Sequence, residues 1–174
     1  QMCIRDRIST DAGNYDCTVT NAGGTVVSGI AVVSVVPSQL PRMNTIYGIA
    51  VDSIGNIYVG DEGNHVIRKI TPSGVMSTFA GTTAVAGSVD GTGAAARFYV
   101  PRGVAVDSSG NVYVADTNNH AIRKITQGGK VTTIAGLLGS VGSADGVGAN
   151  ARFNTPYALT VDAAGNVYVA DTYN

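Results

Sequence analysis

The chain has 174 residues, a formal net charge of −1, 13% charged residues and 23 glycines. This balance excludes intrinsic disorder, which needs low hydrophobicity and high net charge, and argues against a general nucleic-acid binder, which carries a basic excess. No apolar run approaches the roughly 20 residues of a membrane-spanning helix, and two cysteines, Cys3 and Cys17, are too few for a disulfide scaffold or a metal cluster.

Residues 1–7, "QMCIRDR", do not read as a natural N-terminus. "MCIRDR" resembles translated sequencing adaptor and is set aside as a non-native leader. Residues 8–36 hold "DAGNYDCTVTNAGG" and then the β-branched run "TVVSGIAVVSVV", which predicts strands. Asp11, Gly13, Tyr15 and Cys17 form a D-x-G-x-Y-x-C pattern that resembles the signature of immunoglobulin-like domains. The resemblance implies that Tyr15 makes a tyrosine corner and that Cys17 faces a second cysteine across a sandwich. Cys3, inside the leader, is a poor candidate for that partner, and the first strands of such a domain do not precede this stretch. "PSQLP", residues 37–41, reads as a stiff linker between two prolines. The chain is therefore expected to be a window from a longer protein.

From residue 42 onward one unit recurs. Asp52, Asp107 and Asp162 are spaced by 55, as are Gly55, Gly110 and Gly165, and Tyr58, Tyr113 and Tyr168. Between Val106–Asn119 and Val161–Asn174, 11 of 14 positions are identical. A fixed period of this size points to a propeller, solenoid or array. Within the unit, "GVAVD" (Gly103–Asp107) is a short apolar strand and "NVYVAD" (Asn111–Asp116) alternates. "DSSGN" between them suits a hairpin turn. After "TNN" comes a third strand, "HAIRKI", and after "TQGGK" a fourth, "KVTTIAG". The expected fold class is all-β, with four-stranded antiparallel blades of a partial β-propeller. The first strand of each unit, apolar on both sides, is expected near the axis. The third, carrying Arg123 and Lys124, is expected nearer the rim.

The motif P-x-G-V-A-V-D-x-x-G-N-V-Y-V-A-D-T-x-N-x-x-I-R-K-I, carried by Pro101, Gly103–Asp107, Gly110–Thr117, Asn119 and Ile122–Ile125, resembles the NHL repeat. The resemblance covers about residues 41–174. It departs in the first copy at Ile46, where later copies have Pro101 and Pro156, and at Gly60, where alanine is usual. It implies a propeller, commonly of about six blades. Two whole blades, about 42–81 and 97–136, and an incomplete one, 152–174, are expected here, after the Ig-like remnant.

Four motifs invite chemical readings. "GTGAAA" (Gly91–Ala96) fits a dinucleotide fingerprint, but Pro101 interrupts the stretch after it and no helix is expected, so a blade connector with Phe98 and Phe153 pinned between blades is the preferred reading. "DSSGN" has too few carboxylates for Ca²⁺, and Asp107 is expected to bond the turn backbone. Asp90 and Asp145, in "SVDG" and "SADG", are slightly better ion candidates. His65 and His120, on different blades, are expected to satisfy backbone groups and not to share a metal. No Ser-His-Asp or Cys-His set can be assembled, so no cofactor or metal is expected.

In an up-and-down meander the turns alternate between faces. One face should carry tight turns. The other should carry "DEGNH", "DTNNH" and connectors of about 15 residues, and loops of this kind on a rigid scaffold hold binding sites. The expected partner-binding face comprises Asp61, Glu62, Asn64, His65, Asp90, Asp116, Asn118, Asn119, His120, Asp145, Asp171 and Tyr173. The expected function is a non-enzymatic binding or scaffold module of a secreted or cell-surface protein, with a protein or carbohydrate partner and no nucleic acid. Ig-like modules beside NHL repeats resemble large bacterial extracellular proteins. The alternative is a lyase- or lactonase-type propeller enzyme whose metal site is completed outside this chain.

Overall fold

The computed structural model describes residues 42–174 and two short strands before them, β1 (Thr18–Asn21) and β2 (Gly24–Val27), which pair antiparallel. The expected leader, the linker and most of the Ig-like stretch, Tyr15 and Cys17 included, lie outside the described residues. The chain divides into two units, Gln1–Leu40 and Pro41–Asn174, of which the second carries the repeats.

The first blade is a meander of β3 (Ile46–Val51), β4 (Ile57–Asp61), β5 (Val66–Ile70) and β6 (Met76–Ala80), in that spatial order. A two-residue strand, β7 (Gly91–Thr92), comes next, in the connector. The second blade repeats the meander with β8 (Pro101–Val106), β9 (Val112–Asp116), β10 (Ala121–Ile125) and β11 (Lys130–Ala135). The third contributes β12 (Pro156–Val161) and β13 (Val167–Asp171). All pairings within the blades are antiparallel. The expected meanders and turns are present.

The first strands of the three blades, β3, β8 and β12, lie side by side. Glycine makes this approach feasible. A Cβ on Gly48 would fall 2.2 Å from the Arg102 carbonyl oxygen, and one on Gly103 would fall 2.8 Å from the Ala158 Cα. Consecutive blades therefore meet backbone to backbone at the axis. Further out, Phe98 is completely buried among Tyr58, Ile67 and Ala80 of the first blade and Val104, Val114 and Val131 of the second. It is the wedge between blades that its position in the connector suggests.

Each hairpin between the first two strands is organised by one aspartate. Asp107 Oδ1 accepts from the Ser109 and Asn111 amides at 2.9 and 2.8 Å, and Oδ2 accepts from Asn111 Nδ2 at 2.8 Å and the Tyr113 hydroxyl at 3.1 Å. Asp52 and Asp162 repeat the arrangement. Gly110 closes the turn at φ +75°, a value that side chains disfavour. Burial and the neighbouring Asp52 carboxylate push the Tyr58 hydroxyl up to about 12, so it stays a donor. These carboxylates are fully engaged by the turn, as the backbone-bonding reading requires.

One expectation needs correction. Arg123 sits on the third strand but is not a rim charge. It is fully buried, with Nη1 2.6 Å from Asp116 Oδ2. Arg68 is likewise buried on Asp61 at 2.8 Å. A buried guanidinium is tolerable only when paired and hydrogen-bonded, and the aspartate seven residues earlier on the adjacent strand supplies the pair. The connector Thr82–Ala96 is ordered, as the preferred reading has it. It makes a Thr82–Val85 bridge, lays β7 along β11 as a fifth strand of the second blade, and ends in a 3-10 turn at Gly93–Ala95. "GTGAAA" is thus an edge strand and a single turn, with no helix to hold a pyrophosphate.

Candidate functional site

One face of the blades collects the starts of the inner strands and the 3-10 turns Glu62–Asn64 and Thr117–Asn119. Most of the repeated polar residues there hold the scaffold. Asp116 Oδ1 accepts the Tyr99 amide at 2.8 Å, and Oδ2 accepts from Asn119 Nδ2 at 2.8 Å and from Arg123. Burial pushes the Asp116 carboxyl up, to about 6, and Arg123, Asn119 and the Tyr99 amide limit the rise. Asp61 and Asp171 receive the amides of Asn44 and Asn154 in the same way. Asn64, Asn119 and Asn174 bridge their aspartates to the carbonyls of Arg42, Gly87 and Gly142. Asp61, Asp116 and Asn119 are buried, so they leave the anticipated partner-binding face.

The histidines latch one blade to the next. His65 and His120 come directly after the 3-10 turns in the left-handed region, φ +58° and +52°. His65 Nδ1 accepts the Val100 amide at 3.3 Å, and His120 Nδ1 accepts the Thr155 amide at 3.1 Å. Val100 and Thr155 themselves stand at φ +60° and +61°, as does Thr45 at +54°, costly values for β-branched residues. These are backbone-satisfying histidines, 55 residues apart on separate blades. Among the described residues no three His, Cys, Asp or Glu gather as metal ligands.

The connector aspartates also diverge. Asp90 accepts from Arg123 Nη2 at 2.7 Å and from the Thr133 amide at 3.0 Å. Burial alone would raise its pKa, but Thr133 and Arg123 together hold it below the usual carboxylate value. Asp145, one period on, is exposed. Asn118 is half-buried beside the second 3-10 turn.

The fold brings together at the axis a group that the repeat pattern did not single out. Tyr47, Arg102 and Tyr157 are each the second residue of an inner strand, where a register shift interrupts the ladder with the adjacent strand. The Arg102 guanidinium lies between two rings, 4.9 Å from the Tyr47 centroid and 4.2 Å from the Tyr157 centroid. Glu62 clamps it, accepting from Nε at 3.0 Å and Nη2 at 3.2 Å. Tyr173 meets Tyr157 edge to face at 6.2 Å. Tyr47 is 64% exposed on the first inner strand, which has no preceding blade beside it among the described residues, and an open groove runs between Ile49, Val104 and Leu159. A signal existed in the sequence. Positions 47, 102 and 157 read Tyr, Arg, Tyr, so at the 55-residue step an arginine stands between two aromatic residues.

Comparison with known proteins agrees with this architecture. Residues 98–125 match the family model of the NHL repeat. NHL repeat-containing protein 2 of Gallus gallus is 38% identical over 92 residues, covering 51% of this chain and 12% of that protein. A structural genomics protein of unknown function from Bacteroides thetaiotaomicron superposes with TM-score 0.69 at 28% identity, over 82% of this chain and 36% of that one. An auxiliary nutrient binding protein from Bacteroides ovatus superposes with TM-score 0.58 at 26% identity, over 67% of this chain and 32% of that one. The chain spans 8–12% of the length of the curated relatives it matches. Residues 98–125 are thus an NHL-type repeat, set within a fold that is that of a β-propeller.

Proposed function

We infer that the chain is a non-enzymatic ligand-binding part of a larger protein, and that the ligand seats at the axial mouth on Tyr47, Arg102 and Tyr157. The observation that carries this reading is the Tyr–Arg–Tyr stack itself. It presents aromatic rings and a guanidinium clamped by the Glu62 carboxylate beside the groove between Ile49, Val104 and Leu159. The chemistry suits a saccharide, whose apolar ring face stacks on tyrosine and whose hydroxyls bond to Arg102 and Glu62. Of the face anticipated from sequence, Glu62 and Tyr173 border this mouth directly.

The nutrient-binding name of the Bacteroides ovatus relative supports a role in binding. A saccharide ligand accords with a place outside the cell. No helix among the described residues is long and apolar enough to cross a membrane. The inner strands β3, β8 and β12 carry no His, Asp or Glu that a metal-dependent lyase or lactonase would use there.

A glycan microarray probed with the protein tests the reading. Tyr157→Ala and Arg102→Ala should weaken the strongest glycan signal about tenfold or more, with circular dichroism unchanged. Signals that survive in Tyr157→Ala, or turnover of a glycan or lactone that a chelator abolishes, would overturn it.

A further inference from the structure

The two junctions between blades differ at one pair of positions. At the second junction Thr117 is buried, and its hydroxyl donates to the Pro156 carbonyl at 2.8 Å. At the first junction the threonine position holds Glu62, and the next inner strand carries Arg102. Positions 62, 117 and 172 read Glu, Thr, Thr, and positions 47, 102 and 157 read Tyr, Arg, Tyr. The two departures from the repeat meet each other, at 3.0 and 3.2 Å. Since the Thr117 junction closes with a neutral bond, blade packing does not require the Glu62–Arg102 pair. The pair is also shallower than those of the scaffold. Its two side chains are each 16% exposed, whereas those of Arg68–Asp61 and Arg123–Asp116 are 1% exposed or less.

The geometry of the pair decides what can approach it. A guanidinium receives a carboxylate through a fork of two parallel N–H groups. In Arg102 the Nε and Nη2 fork is filled by the two oxygens of Glu62. The Tyr47 and Tyr157 rings lie over the guanidinium at 4.9 and 4.2 Å. A ligand carboxylate arriving here finds its place taken and meets a like charge. A neutral sugar meets no such barrier. Each Glu62 oxygen retains a lone pair for a ligand hydroxyl, and the rings receive the apolar sugar face.

We propose, resting on the saccharide reading of the axial mouth, that Glu62 is its specificity-determining residue: by occupying the Arg102 fork it restricts the site to neutral saccharides and excludes uronates. Without Glu62 the same fork becomes a receptor for a sugar carboxylate.

The test repeats the glycan array with the parent protein, Glu62→Thr and Glu62→Gln, and scores neutral glycans against glycans bearing glucuronate or galacturonate. Threonine is what the other two units carry at this position, so Glu62→Thr keeps the chemistry of the second junction. Glu62→Gln removes the charge and leaves an oxygen near the fork. The parent should give signals on neutral glycans alone. Glu62→Thr should gain uronate signals at least about tenfold above the parent's, and Glu62→Gln a smaller gain. Salt at about 0.5 M should weaken the gained signals, and Arg102→Ala added to Glu62→Thr should remove them. Uronate glycans among the parent's strongest signals, or variants whose ratio of uronate to neutral signals equals the parent's, would overturn the role of Glu62 while the saccharide reading stands. Gained signals that persist without Arg102 would do the same. Absence of any glycan signal from the parent and both variants would overturn both.

Discussion

At the scale of the residue, one carboxylate organises each inner hairpin, and its titration should be measurable. The Asp107 pKa is lowered: burial raises it, but the bonds from Asn111, Tyr113 and Ser109 together outweigh burial. A lowered folded-state value means that the stabilisation is present above the ordinary value of 3.8 and is lost as pH falls through the lower one. Asp107→Asn should therefore cost about 1 kcal/mol near neutral pH, a figure reduced for solvent screening. The gap from the parent protein should shrink below about pH 4. Urea melts at a series of pH values check this, and a gap that stays constant would contradict it. The role of Asp107 was legible because a lone Asp before Ser-Ser-Gly-Asn has one obvious use. The candidate ligand residues were less legible. Asp61, Asn64, His65 and their copies were expected on the binding face because they sit in its turns, yet their bonds go to the backbone of the blades. Tyr47, Arg102 and Tyr157 lie in separate units 55 residues apart, and only the side-by-side inner strands bring them together.

At the scale of the element, a blade is legible wherever local chemistry decides it. Alternating Val and Tyr and the Gly-Asn turns specify hairpins from neighbouring residues alone. The connector was not legible in the same way. Gly91–Thr92 has no strand character of its own and becomes β7 only because the edge of β11, about forty residues on, is there to receive it. Two further acceptors of Arg123 have the same origin, since Asp90 and the Val89 carbonyl arrive from that connector. Blade contacts can be tested at Gly103, where an added methyl meets backbone and not a movable side chain. Gly103→Ala should destabilise by about 1–3 kcal/mol, read as a lower urea midpoint with unchanged slope. An unaltered midpoint would mean that the inner strands are not packed as described.

At the scale of the whole molecule, equivalent positions show what a missing neighbour leaves. Ile49 is 66% exposed, whereas Val104, its counterpart one blade on, is 7% exposed. Ile46 and Val51 are open beside it. An apolar strip of this kind promotes association, so the 174-residue chain should sediment as more than a monomer at micromolar concentration or melt over a broad range. A clean monomer with a sharp cooperative melt would speak against this. The imidazole latches also have a direction. Each earlier unit offers the lone pair, and the later unit brings the amide, 35 residues downstream in both cases. During translation the acceptor is therefore in place before its donor leaves the ribosome. Every finished unit becomes a template for the next, and growth from the N-terminal side is built into the order of the residues.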